Sequence, residues 1–122
     1  MNNITSSRSG FTLVEIMIVA GLIGLLAVIA VPNFVHARTQ SNRTVCLNNL
    51  RQIDSAVQQW AAEQKKAPSD IPGFTDISPY LKKVLVCPSG GTAFSDSYTL
   101  PTVTNKPACK KAADHVLPET TN

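Results

Sequence analysis

A chain of 122 residues, 43% hydrophobic and 16% charged, is long enough for one modest domain and no more. Eleven Lys and Arg against eight Asp and Glu leave a net charge of +3 with no dense basic run, which argues against a nucleic-acid partner. Two histidines, and three cysteines without a Cys-x-x-Cys pair, offer little for metal or general-base chemistry.

Residues 1–10 are polar, and Arg8 and the amino terminus carry their only positive charges. From Phe11 to Val31 runs an apolar stretch of 21 residues with one charge among them, Glu15. A helix over this run is about 31 Å long, enough to cross a bilayer core. The leader should stay cytoplasmic and the rest should be exported. The residues alone leave two ordinary readings open. One is a secretory signal cut after Ala30 or Ala37, each of which closes a short small-residue pattern. The other is an uncleaved anchor whose Glu15 reaches up to the headgroups. Against the first, the apolar run exceeds a usual signal core and carries a carboxylate near its start. An ionisable residue in a membrane segment is a functional-site hypothesis in its own right.

The segment Ser9-Gly10-Phe11-Thr12-Leu13-Val14-Glu15 resembles the processing site of type IV pilins and type II secretion pseudopilins. The resemblance covers residues 9–35 densely. It implies a leader peptide over 1–10, cleaved after Gly10 by a prepilin peptidase that N-methylates Phe11. Glu15 then takes the family's acidic position, where it pairs with the N-terminal amine of a neighbouring subunit and sets axial register. Gly24 and Pro32 fall where family members carry a helix-loosening glycine and proline. A proline inside a helix removes a backbone donor, so a kink or local opening is expected near Val28–Val31, unless Pro32 simply ends the membrane helix. Implied partners are identical subunits in a helical filament, the peptidase, an inner-membrane platform protein and a cytoplasmic assembly ATPase.

Downstream of Pro32 the chain turns polar but contains no Gly or Pro until Pro68. Cys46, Leu50, Ile53, Val57 and Trp60 recur at spacings of 4, 3, 4 and 3, one face of an amphipathic helix over 42–66. Arg43, Asn49, Arg51, Asp54, Gln58, Gln59 and Glu63 are assigned to the solvated face. Trp60 reads as a core anchor and Cys46 as a packed free thiol.

Pro68, Pro72 and Gly73 mark a loop that ends the helix. A short helical turn follows over 75–81, with Phe74, Ile77, Tyr80 and Leu81 closing over the long helix and Lys82 and Lys83 outward. Cys87-Pro88-Ser89-Gly90-Gly91-Thr92 is turn-forming, and Ser97–Leu100 and Ala108–Lys110 are the strand candidates. A Cys87–Cys109 disulfide closing this hairpin region is the favoured pairing, with pairs through Cys46 competing; it would stabilise by about 3 kcal/mol on the chain-entropy model. The order Cys-Pro-Ser-Gly-Gly, Tyr-Thr-Leu, Lys-Pro-Ala-Cys is also similar to the heads of some short pseudopilin-like proteins. The tail from Val116 to Asn122 reads as a last strand edge or a frayed end.

No phosphate-cradling loop, nucleophile elbow or His pair is present, and Cys109 with His115 has no orienting third group. Asp76, Asp96 and Asp114 are too scattered for a calcium loop. The expectation is therefore a non-enzymatic chain without cofactor or metal. Its fold class is α+β and pilin-like: an N-terminal spine helix, apolar over 11–32 and amphipathic over 33–66, then a small β-hairpin head over 67–122. It would serve in a type II secretion pseudopilus, with a type IV pilus for adhesion, motility or DNA uptake as the alternative. A secreted, disulfide-stapled binding domain is the third reading.

Overall fold

A computed structural model describes residues 9–118. Helix α1 (Leu13–Gln64) is 52 residues long and is followed by α2 (Phe74–Ile77), a 3-10 turn (Ser78–Tyr80), α3 (Phe94–Ser97), β1 (Tyr98–Thr99) and β2 (Ala108–Cys109). This is the expected α+β class. Two compact units divide the chain, Met1–Ala37 and Arg38–Asn122.

In the first unit, no described residue is buried. Phe11 is 80% exposed, and Leu13, Met17, Leu22 and Leu26 are likewise open. The helix forms here because Leu, Ile, Ala and Met propagate it and its first turn is capped. The helical assignment runs unbroken through Pro32, so Pro32 does not end the helix. Asn33 adjusts locally, its Nδ2 donating to the Ile29 carbonyl at 3.2 Å.

In the second unit the predicted stripe is the core: Cys46, Leu50, Ile53, Val57 and Trp60 are all buried. Asn49 is not on the solvated face. It is buried, and its Nδ2 donates to the Val86 carbonyl at 3.1 Å and to the Tyr98 hydroxyl at 2.9 Å. A polar side chain one turn from Ile53 sits inside because the fold supplies both acceptors.

The helix ends at Gln64, two residues before the predicted Lys66. Lys65 adopts φ 50°, the left-handed conformation, and the Lys66 N–H donates to the Ala61 carbonyl at 3.0 Å, a Schellman-type closure. Loop 67–73 is then tied to the loop after β1. Val103 N–H donates to the Asp70 carbonyl at 3.0 Å, and Thr104 Oγ1 donates to the Pro68 carbonyl at 2.9 Å.

Ile77 is buried, Phe74, Tyr80 and Leu81 are half-buried, and Lys82 and Lys83 are exposed, as expected. The strands are shorter than predicted. Ser97 closes α3 instead of opening β1, and Leu100 and Lys110 lie outside the ladder. β1 and β2 pair antiparallel with Tyr98 opposite Cys109 and Thr99 opposite Ala108. So small a sheet persists by packing: Phe94 contacts Phe74 with ring centroids at 4.6 Å and Tyr98 at 5.8 Å. Residues 116–118 form no strand, and the rest of the predicted tail element lies outside the described residues.

Candidate functional site

The N-terminal constellation is built on the start of α1. Ser9, Gly10, Phe11 and Thr12 are non-helical and exposed. Thr12 is the N-cap: its Oγ1 accepts from the Glu15 N–H at 3.2 Å, and Glu15 Oε2 accepts from the Thr12 N–H at 3.5 Å. This reciprocal capping box orients the carboxylate toward the helix start, where the dipole favours negative charge. Its signature, Thr-x-x-Glu before an apolar run, is legible in Thr12-Leu13-Val14-Glu15, although the membrane-charge reading of Glu15 masks it. Ser9, Gly10, Phe11 and Glu15 line one shallow depression. Gly24 and Pro32 lie within α1, and a side chain added at Gly21 or Gly24 would meet nothing within 4 Å.

A second constellation lies in the other unit. Cys46 of α1, Cys87 of the loop before α3, Cys109 of β2 and His115 of the following loop bring their three Sγ atoms and an imidazole nitrogen within 4.8 Å of one another. The cysteines are thiols, and Cys87 and Cys109 Sγ are 3.5 Å apart. Cys46, Cys87 and His115 are buried and Cys109 is half-buried.

Each partner is held by its own backbone. The Cys87 carbonyl accepts from the Gly91 N–H at 2.9 Å, closing the Cys-Pro-Ser-Gly-Gly turn; Gly90 supplies φ 103°. Gly91 has no alternative, because a Cβ there would stand 2.1 Å from Ser97 Oγ and 2.9 Å from the Cys87 carbonyl. The loop carrying His115 is closed by His115 N–H donating to the Ala112 carbonyl at 3.2 Å. It is tied to α1 by Arg43 Nε donating to the Asp114 carbonyl at 3.4 Å.

Burial pushes the Cys46 thiol and the Tyr98 phenol well above their usual ranges. Burial acts the same way on Cys109, but there the backbone N–H groups of Lys111 and Ala112, with the neighbouring thiols, outweigh it and hold the thiol below its ordinary value. His115 Nδ1 is buried without a hydrogen-bond partner. None of these residues is legible as a metal ligand in the sequence, because the cluster forms only when four separate segments converge and no short spacing betrays it.

Comparison with known proteins bears on the first constellation. A family model described as a prokaryotic N-terminal methylation motif matches residues 5–31. The chain is 39% identical over 57 residues to the type IV major pilin protein PilA of Myxococcus xanthus, spanning 47% of this chain and 26% of that protein. It is 34% identical over 62 residues to the type II secretion system core protein G of Pseudomonas aeruginosa, spanning 51% and 44% respectively. It is 32% identical over 87 residues to the competence protein ComGC of Bacillus subtilis, spanning 69% of this chain and 85% of that protein. The chain thus spans half or less of the length of the first two relatives and most of the third. No solved structure matches it.

Proposed function

This chain belongs to the type IV pilin and pseudopilin family, and from that premise we propose that it is a structural filament subunit, cleaved after Gly10, N-methylated on Phe11 and polymerised through α1. The observation that carries the reading is the pairing of an exposed, non-helical Gly10-Phe11 junction with a capped carboxylate, Glu15, at the head of the exposed apolar part of α1. A peptidase needs an accessible, unfolded peptide bond, and residues 9–12 offer one. The apolar run is long enough to cross a membrane. Before assembly the subunit sits in the inner membrane as a single-pass protein with its C-terminal unit in the periplasm.

In the filament, Glu15 meets the methylated amine of a neighbouring Phe11, because a carboxylate left alone among apolar helices costs several kcal/mol. Gly21 and Gly24 ease close packing of the helices. A head-to-tail contact that does not close generates a helical polymer. The role is structural, not enzymatic, and the prepilin peptidase, a platform protein and an assembly ATPase act on the subunit.

The similarity to secretion core protein G favours a pseudopilus serving protein secretion. A second reading, a filament for DNA uptake, is favoured by the coverage of 85% of a competence protein. The deciding experiment is intact mass and N-terminal sequencing of the protein from membranes. A start at methylated Phe11 supports the proposal; a start at Val31 or Arg38 means that α1 loses its apolar half and the filament reading falls. Deletion of the gene then separates the two filaments by whether secretion or transformation fails.

A further inference from the structure

We propose that Cys46, Cys87, Cys109 and His115 form a structural zinc site that ties the C-terminal unit together, whichever filament the subunit serves. Three thiolates and one imidazole are a complete tetrahedral zinc set, with no position left for water or substrate, as structural sites require. With Zn–S bonds of about 2.3 Å, tetrahedral geometry puts ligand sulfurs about 3.8 Å apart. Cys87 and Cys109 Sγ stand at 3.5 Å, and all four donor atoms lie within 4.8 Å. The donors need to shift by about an ångström or less to close on an ion.

Two independent observations point to a ligand. His115 Nδ1 is buried with no hydrogen-bond partner in a residue only 3% exposed, a deficit that coordination through that nitrogen would remove. The Cys109 sulfur accepts from the Lys111 N–H at 3.4 Å. Backbone donors aimed at a sulfur are the outer shell that orients and charges a metal ligand.

The simpler alternative, a Cys87–Cys109 disulfide, uses two of the four donors. It leaves Cys46 as a buried thiol beside the bridge and His115 Nδ1 still unsatisfied. Zinc accounts for all four. It also answers the smallness of the head, where two-residue strands and a core of the α1 stripe with Ile77, Leu85, Phe94 and Tyr98 leave little else to hold four segments in place. Binding involves no redox step: Zn²⁺ exchanges its waters for three thiolates and a neutral imidazole, and the displaced thiol protons pass to solvent.

The test uses the full-length protein in detergent micelles, purified without chelator, with zinc content measured by plasma mass spectrometry. One zinc per chain is expected. Cobalt(II) added to the reduced, metal-stripped protein should give thiolate-to-cobalt charge transfer and the intense visible bands of a tetrahedral site. His115→Ala should lose bound metal, while His115→Cys should restore it with stronger charge transfer. Chelation should lower the melting temperature of the parent protein and leave that of His115→Ala unmoved. Absence of zinc together with no tetrahedral cobalt spectrum from the reduced parent overturns the proposal, as does a Cys87–Cys109 cross-linked peptide in protein taken directly from membranes with Cys46 free and no metal. Should either variant fail to fold, the cobalt spectrum of the parent decides alone.

Discussion

Glu15 is tied to Thr12 in both directions, so it does two separable things: it closes the first turn of its own helix and it offers a negative charge to whatever lies beside that turn. Glutamine at the same position can still close a capping box but carries no charge. If the charge is what assembly uses, Glu15→Gln and Glu15→Ala should both insert in the membrane and both fail to enter filaments, read by immunoblot of sheared filaments against the membrane fraction. Normal filament yield from Glu15→Gln would reduce the residue to a cap. Asn49 makes the complementary case for what residue type conceals. Its amide alone suggests the solvated face, yet on a helical wheel it lies about 20° from Trp60, at the edge of the buried stripe, and the Val86 carbonyl and the Tyr98 hydroxyl, both distant in sequence, satisfy it there.

Among the elements, α1 was the most legible because its stripe repeats with the helical period for five residues and nothing before Pro68 interrupts it except Pro32. Its stop was less so. Pro68 and Gly73 announce an end, yet the chain turns earlier, at Lys65, a residue type with no preference for φ 50°. A non-glycine residue pays about 1 kcal/mol or more for the left-handed conformation, whereas glycine adopts it freely. Lys65→Gly should therefore stabilise the second unit by about 1 kcal/mol, seen as a higher midpoint in chemical denaturation; a lower midpoint would mean that Lys65 contributes through its side chain. The strands were placed to within a residue or two, but α3 was missed altogether. Four residues, Phe94 to Ser97, are too few for any periodicity, and their helix rests on Phe94 packing between Phe74 and Tyr98.

For the whole molecule, the fold class and the N-terminal family motif are readable because both are local: a long apolar run, a short motif, a periodic stripe. The convergence of Cys46, Cys87, Cys109 and His115 is not, since each donor arrives on a different segment. The same holds for the ion pairs that pin those segments. Lys111 Nζ lies 2.7 Å from Asp96 Oδ1, and this contact, with the Thr92 N–H, holds the Asp96 carboxyl below the usual carboxylate range. The folded value lies under the unfolded one, so the contribution to stability is complete above about pH 4 and is lost as pH falls through the depressed folded value. Melting temperature should fall in that acid range, and Asp96→Asn should flatten the fall when both proteins are run over one pH series; identical slopes would remove the pair from the balance. The exposed apolar surface of the first unit carries a different corollary. In water each of those large side chains forgoes about 1.5–3 kcal/mol of burial, so a dissolved monomer is strongly disfavoured. Lipid tails and neighbouring helices are nearly equal in polarity, so exchanging one for the other releases little of that sum. On the proposed role, traffic of the subunit between bilayer and polymer would be close to reversible in its apolar part, with its direction imposed by work done elsewhere.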